Sequence, residues 1–456
     1  MKYMQLYNKM PVLLQNLICS LDGYKKRKSR YNRKFYEYLE QYEKNNKLSS
    51  SDISRIQSKK IIELISHCYN NVPYYRRMFD DNSIDYKQID SVEKLEALPI
   101  LTKDIVRDNY HQLLAENITR DQCVQSKTSG TTGSGFAFLK TKQSINEQWA
   151  VWWRFRRLHG IQMSTWCAHF SSNPIVPAKQ HKPPYWRINY PGKQILFSAF
   201  HMKDSNLLSY VEEIKRRKII WIHGFPSVVA ILANYIIANR IDMFGQIKHI
   251  TTGGESLLEY QKQAIERAFG SEVFEHYGLA EGVANISQNE KGEFEIDSDF
   301  CAVEFYPNNG THKIIGTNLS NYAMPLLRYD TQDLATIVET KQGRKILSID
   351  GRIEDYLLSS DGRKFGRISR AFMYSQGIIA AQVVQNVDYS IDINLSTSNA
   401  YGTSDEKKIL DFFRNAMNFT HPIRINYGGH MIASDSGKHR LVINKVCKQH
   451  FGNDQV

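Results

Sequence analysis

From about Gln125 onward, short apolar runs alternate with helical stretches, and this alternation limits the fold more than any other feature of the chain. Residues 219–222 and 247–251 read as strands, and residues 226–239 and 257–269 read as helices. Strands alternating with helices of this length predict an α/β sheet whose ligands sit at the carboxyl ends of its strands. Between 293 and 347 the pattern turns β-rich, with a turn at Asn308-Asn309-Gly310. After Gly351-Arg352 a smaller unit follows: two strand-like runs over 382–395, a helix over 405–417 and a last strand over 441–446.

The first hundred residues look mainly helical. Leu13, Leu14, Leu17, Ile18 and Leu21 recur at helical spacing and make one apolar face. A basic stretch comes directly after, with Lys25, Lys26, Arg27, Lys28, Arg30, Arg33 and Lys34. Such a face beside positive charge suits an anionic membrane surface. The plainer reading is a helix packed on its own domain, followed by a solvated charge run. Residues 61–69 read as another amphipathic helix, and Thr102 is a good N-cap type for a helix after Leu98-Pro99-Ile100-Leu101.

With 456 residues, 42% hydrophobic and 23% charged, the chain is composed like a globular enzyme, not a disordered segment. No apolar run approaches the length of a spanning helix. The 59 basic and 47 acidic residues leave a net charge of +12, which favours anionic partners without choosing among them. Six cysteines are scattered with no CxxC spacing, which predicts reduced thiols. The apolar residues near the start precede the basic cluster, the reverse of a secretory signal, so a cytoplasmic protein is expected.

The sharpest chemical signal is the run Thr128-Ser129-Gly130-Thr131-Thr132-Gly133-Ser134-Gly135, in which every residue is glycine or carries a hydroxyl. Unhindered backbone N–H groups and hydroxyl donors suit a polyphosphate. Phe136 stands where a Walker A loop requires lysine, so this is a different loop. By itself such a run is an ordinary flexible loop. It is followed in order by Thr251-Thr252-Gly253-Gly254-Glu255, His276-Tyr277-Gly278-Leu279-Ala280-Glu281 and Arg328-Tyr329-Asp330-Thr331-Gln332-Asp333. Gly351-Arg352-Ile353-Glu354-Asp355 and Ser436-Gly437-Lys438-His439-Arg440 complete the series.

In this order and at these separations the series resembles the adenylate-forming superfamily, and within it the phenylacetate–CoA ligase branch, especially CapK-like proteins of capsular polysaccharide synthesis. Asn71-Val72-Pro73-Tyr74-Tyr75-Arg76, Leu98-Pro99-Ile100-Leu101-Thr102-Lys103 and Ala323-Met324-Pro325-Leu326-Leu327 are similarly branch-like. The resemblance implies an α/β fold: a large N-terminal domain of stacked α/β sheets plus a β-rich subdomain, with a small mobile α+β C-terminal domain. The corresponding boundaries are 1–100 for the helical region, 101–350 for the nucleotide- and acid-binding core, and 351–456 for the mobile domain.

The same resemblance implies the roles. Thr128, Ser129, Gly130, Thr131, Thr132 and Gly133 would hold the ATP phosphates. Gly253, Gly254 and Glu255 would flank adenine, Tyr277 would stack on it, and His276 and Gly278 would belong to the same nucleotide site. Glu281 would bind magnesium, a hard cation suited to carboxylate oxygen. Asp333 would accept from the ribose hydroxyls, and Arg352 would touch ribose or phosphate. Glu354 and Asp355 would be the hinge, and Lys438 would reach the α-phosphate and stabilise transition-state charge. His223 and His276 read, from the residues alone, as satisfied core histidines.

Two departures stand out. Gln332 replaces the glycine of the usual threonine-glycine-aspartate, and the stretch from Ser287 to Phe294 lacks the thiol and imidazole with which many relatives hold zinc, so no zinc is expected. The function implied is an AMP-forming ligase that activates a carboxylic acid with ATP and magnesium, then passes the acyl group to CoA or to an amine or sugar acceptor in surface-polysaccharide synthesis. The alternative is a non-catalytic scaffold of a membrane-associated glycan assembly. Contact with the inner face of the membrane and a homodimer are further expected partners. Nucleic acid is not, because no recognition motif accompanies the charge.

Overall fold

A computed structural model gives the fold and describes residues 2–127, 137–171, 175–177, 179–308, 310–340, 343–352, 357–358, 360, 364–365, 368–372, 375, 377–416, 419–428, 431 and 441–446. The chain divides into two compact units. One comprises Met1–Tyr24, Ile161–Glu275 and Ile353–Val456; the other comprises Lys25–Gly160 and His276–Arg352.

In the first unit, Gln194–Ser198, Cys167–Ser171, Trp221–Gly224 and His249–Thr252 lie side by side as parallel strands. Trp186–Asn189 closes one edge antiparallel to Gln194–Ser198. The strands are short and apolar, as expected where helices cover a parallel sheet. The helix Pro226–Ala238 starts with proline at its first position and buries Val228, Val229, Leu232 and Ala233 against Ile222 and Ile250. The helix Glu259–Phe269 ends at Gly270, whose φ of 71° is the left-handed conformation that glycine tolerates.

The C-terminal part of this unit is a small α+β domain. Its sheet runs Ile423–Tyr427, Ile391–Thr397, Ile378–Gln385, Val442–Asn444, with Thr403–Asp411 as its helix. Val383, Ile393, Leu395, Ile409 and Phe413 make its core, and Tyr260 from the helix Glu259–Phe269 is buried in the same cluster. The sequence expects one helix over 405–417; the α-helix instead stops at Asp411 and a π-helical turn, Phe412–Ala416, follows.

In the second unit, Cys301–Asn308, Thr311–Asn318, Tyr329–Thr340 and Gly343–Arg352 form an antiparallel meander, the β-rich segment expected from the sequence. Cys123–Lys127 and Ala137–Thr141 pair separately as an antiparallel hairpin. Side chains cap the helices of this unit: Asn32 accepts from Phe35 N, Ser49 from Asp52 N and Thr102 from Ile105 N. Three branch-like segments meet in the core. Tyr75 Oη donates to Pro325 O at 3.0 Å and accepts from Leu327 N at 3.0 Å, while Leu101 exchanges backbone bonds with Arg328 O and Asp330 N. Arg328, buried, forks onto Glu304 with its Nε 3.1 Å from both carboxylate oxygens. The first stretch of the 328–333 motif thus holds the fold together.

Candidate active site

The strand Val273–Gly278 carries Tyr277, and the strand Tyr329–Thr340 carries Asp333. Tyr277 Oη donates to Asp333 Oδ2 at 2.8 Å. Asp333 is buried, and its backbone N–H donates to Thr331 Oγ1 at 3.1 Å. Across the ladder, the residue directly opposite Asp333 is Arg352. Strand pairing sets the backbone of Arg352 opposite Asp333, and the side-chain hydrogen bond joins the Tyr277 ring to the same carboxylate. Between Thr331 and Asp333, Gln332 has a φ of 60°, the left-handed conformation that favours glycine.

His276, half-buried, precedes Tyr277 in the same strand. Its Nε2–H faces Asn285 Oδ1 at 3.0 Å, and the same oxygen accepts from Trp152 Nε1 at 2.9 Å. Burial, with the nearby Arg156 charge, pushes its imidazole down to about 3, so the ring is neutral at physiological pH. Asn285 in turn donates to Asp297 Oδ2, and Asp297 and Asp299 both pair with Arg154. His276 is thus held in place by hydrogen bonds within its unit. Gly278 is held to glycine by packing: a Cβ there would meet Asn285 Oδ1 at 2.8 Å.

Glu281 is buried, and its backbone oxygen accepts from Asn318 Nδ2 at 2.7 Å. Lys140, from the hairpin strand Ala137–Thr141, is buried near it, with Nζ 3.1 Å from Ala280 O and also bonded to Gln148. Burial pulls the Lys140 ammonium down to about 8, and the Glu281 charge partly offsets that. Sequence reasoning missed Lys140. The signal was available: a lysine in the apolar run Ala137-Phe138-Leu139-Lys140 breaks the pattern of a buried strand.

In the other unit, Gly253, Gly254 and Glu255 leave the carboxyl end of His249–Thr252. Gly254 has a φ of 79°, and Glu255 Oε2 accepts from Ser227 Oγ at 2.7 Å and from Ser227 N at 3.3 Å in the first turn of Pro226–Ala238. A carboxylate at a helix N-terminus is stabilised there and fixes the turn. On the same sheet, His223 Nδ1 lies 2.9 Å from Thr251 Oγ1 and its ring stacks on His169 at 5.3 Å. Glu275 is another residue that sequence reasoning missed: burial pushes its carboxyl up to about 7, although it accepts from Leu257 N at 3.2 Å.

Thr128, Ser129, Gly130, Thr131, Thr132 and Gly133, the hinge residues Glu354 and Asp355, and Lys438 lie outside the described residues. What is described of the glycine-hydroxyl run is its frame: Lys127 and Ala137, the residues on either side of 128–136, are cross-strand partners. The stretch from Ser287 to Phe294 lies in a hairpin, Asn285–Gln288 paired with Phe294–Ile296. Its turn is closed by Asn289 Oδ1, which accepts from Lys291 N and Glu293 N.

A family profile described as the CapK C-terminal domain matches residues 357–445. The chain is 26% identical over 455 residues to Protein CapK of Staphylococcus aureus, covering 97% of this chain and 99% of that one. It is 22% identical to a phenylacetate-coenzyme A ligase of Aromatoleum evansii over 68% of this chain and 73% of the relative. Among solved structures, a 2-hydroxyisobutyryl-CoA ligase in its postadenylation state superposes with a TM-score of 0.66 at 14% identity, covering 87% of this chain and 90% of that one. Its likeness is one of fold. The chain is thus CapK-like in sequence over nearly its whole length and shares its fold with an acyl-CoA ligase of the adenylate-forming type.

Proposed function

We propose that the protein is an AMP-forming ligase. A carboxylate oxygen of the acid attacks the α-phosphorus of ATP, the bond to the β-phosphate oxygen breaks, and pyrophosphate leaves. A thiol, amine or sugar hydroxyl then attacks the carbonyl carbon of the acyl-adenylate, the bond from that carbon to the phosphate oxygen breaks, AMP leaves, and the nucleophile's proton passes to base. The observation that carries this reading is the Tyr277–Asp333 pair at 2.8 Å, an aromatic face and an oriented carboxylate of the kinds that adenosine needs. Glu281 supplies a hard oxygen donor for magnesium, and that ion would neutralise phosphate charge.

In this proposal Thr128 to Gly133 cradle the phosphates, Gly253 and Gly254 let the base lie against backbone, and Glu255 fixes their turn through Ser227. Lys438 reaches the α-phosphate, with Glu354 and Asp355 as the hinge of the C-terminal domain. The acceptor is CoA, an amine or a sugar, in surface-polysaccharide synthesis, and a second copy of the chain is a further partner. The acyl-adenylate in the 2-hydroxyisobutyryl-CoA ligase structure and the thioester chemistry in the names of the ligase relatives support the order of steps. Acid-dependent exchange of labelled pyrophosphate into ATP is the test. Exchange that disappears in Lys438→Ala supports the reading; absence of exchange over a broad panel of acids, with no ATP binding, removes it and favours the scaffold alternative.

A further inference from the structure

Over residues 12–24, the helix Val12–Arg30 is packed on its unit by the wrong face. Its buried residues are Gln15, Cys19 and Gly23, small or polar groups spaced one turn apart. Its leucine face points outward: Leu13 is 79% exposed, Leu17 55% and Leu21 54%, with Leu14, Ile18 and Tyr24 exposed beside them. This orientation is fixed by specific bonds to the sheet edge. Asn16 Oδ1 accepts from Ile188 N at 3.0 Å, and Ser20 Oγ donates to Ile188 O at 3.1 Å and accepts from Tyr190 N at 3.3 Å. Gln15 Oε1 accepts from Nε of the fully buried Arg187. Gly23 lies so close to Asn189 that any Cβ would collide with its side-chain amide. Rotating the helix to bury its leucines would break all of these contacts, so the face stays outward.

Several large apolar side chains aligned on one exposed helix face form a patch that solvated surfaces rarely keep without a partner. The same helix ends in Lys25, Lys26, Arg27, Lys28 and Arg30, with Asp22 its one acidic residue. Next to Ser20 stands the turn that carries Tyr190, 55% exposed, with Trp166 packed edge-on to it at 5.9 Å and Lys193 Nζ 5.3 Å from the Trp166 ring centroid. Leucines flanked by basic residues and an exposed tyrosine are the composition of an interfacial helix, one that lies in the headgroup region of a bilayer. Among the described residues no helix is long and apolar enough to cross a membrane, so lying on the surface is the geometry that fits.

We propose that the leucine face of Val12–Arg30 docks the protein on an anionic lipid surface, its basic end drawn to acidic headgroups and its leucines entering the acyl boundary. This inference is independent of the adenylation reading. The experiment is sedimentation of the full chain with vesicles of mixed phosphatidylglycerol and phosphatidylcholine, and with vesicles of phosphatidylcholine alone. Wild type is expected to sediment with the mixed vesicles and to lose that binding in high salt. The variants Leu14→Ser/Leu17→Ser/Leu21→Ser and Lys25→Glu/Lys28→Glu are each expected to partition at least about tenfold less, with unchanged melting temperature. Folded wild type that ignores the mixed vesicles overturns the proposal, as does a leucine variant that binds as wild type does. Light scattering covers the rival occupant. A wild-type dimer that the leucine variant splits, without vesicle binding, assigns the face to a second copy and overturns the lipid reading.

Discussion

The phenolic hydroxyl of Tyr277 donates to Asp333 Oδ2 at 2.8 Å, joining two motifs that are 56 positions apart in the chain. This bond orients the carboxylate and holds the ring at a fixed angle to it. Tyr277→Phe keeps the ring and loses the bond, so AMP should bind about three- to tenfold more weakly, the effect of one hydrogen bond. Tyr277→Ala also loses the aromatic face and should weaken AMP binding well beyond that. Calorimetric titration with AMP distinguishes these outcomes; equal affinities for Phe, Ala and wild type would remove Tyr277 from the site.

Gln332, with a φ of 60°, holds a left-handed backbone conformation that costs an L-residue about 1–2 kcal/mol. Gln332→Gly relieves that strain but loosens the unfolded chain, so the net gain should be about 0.5–1 kcal/mol. The backbone N–H of Gln332 donates to Asp330 Oδ1 at 2.9 Å and is retained in the variant. Gln332→Ala is the control, because it trims the side chain and keeps the strain. Denaturant midpoints for the three proteins give the answer: a gain in Ala equal to that in Gly would show that strain is not the cause.

The same position shows how far the sequence could be read. Thr331-Gln332-Asp333 is legible as a motif because chemistry fixes its aspartate, yet only the backbone shows that Gln332 takes the left-handed conformation that favours glycine. The strand–helix alternation and the cap at Thr102 were legible because they rest on local patterns. The outward face of Leu13, Leu17 and Leu21 was not, since periodicity finds an apolar stripe without saying which side of the helix meets the sheet. Asn16, Ser20 and Gly23 settle that through partners some 170 positions away. Lys140 and Glu275 were missed for a related reason: their shifts come from burial, which depends on tertiary neighbours.

Glu275 and His276 are consecutive in one strand and titrate with opposite signs. Glu275 has its carboxyl raised to about 7, so below that pH the native state keeps a proton that the unfolded state releases above its ordinary range. Its contribution to stability is therefore present at low pH and lost as pH rises through about 7. His276, lowered to about 3, remains neutral where the unfolded imidazole protonates, so its contribution is present above about pH 6.5 and lost as pH falls. Glu275→Gln should remove the alkaline loss, adding about 2–3 kcal/mol near pH 8 and little near pH 5. Urea midpoints across that range test it. Parallel curves for variant and wild type would show that Glu275 ionises like an exposed carboxylate.

Lys140 and Glu281 offer a way to separate metal binding from folding. Lys140 is a buried ammonium lowered to about 8, and the Glu281 charge is what opposes a further fall. In Glu281→Gln that charge is gone, so the buried cation should cost about 1–3 kcal/mol of stability at neutral pH. Because the native lysine then releases its proton more readily than the unfolded one, this deficit should shrink as pH rises. Lys140→Met/Glu281→Gln removes both charges and should recover most of the stability. Pyrophosphate exchange should stay at least about a hundredfold down in both variants if Glu281 holds the magnesium, since glutamine offers the ion no charged carboxylate oxygen. Exchange that returns together with stability in the double variant would make Glu281 a structural counter-charge to Lys140 and place the magnesium elsewhere.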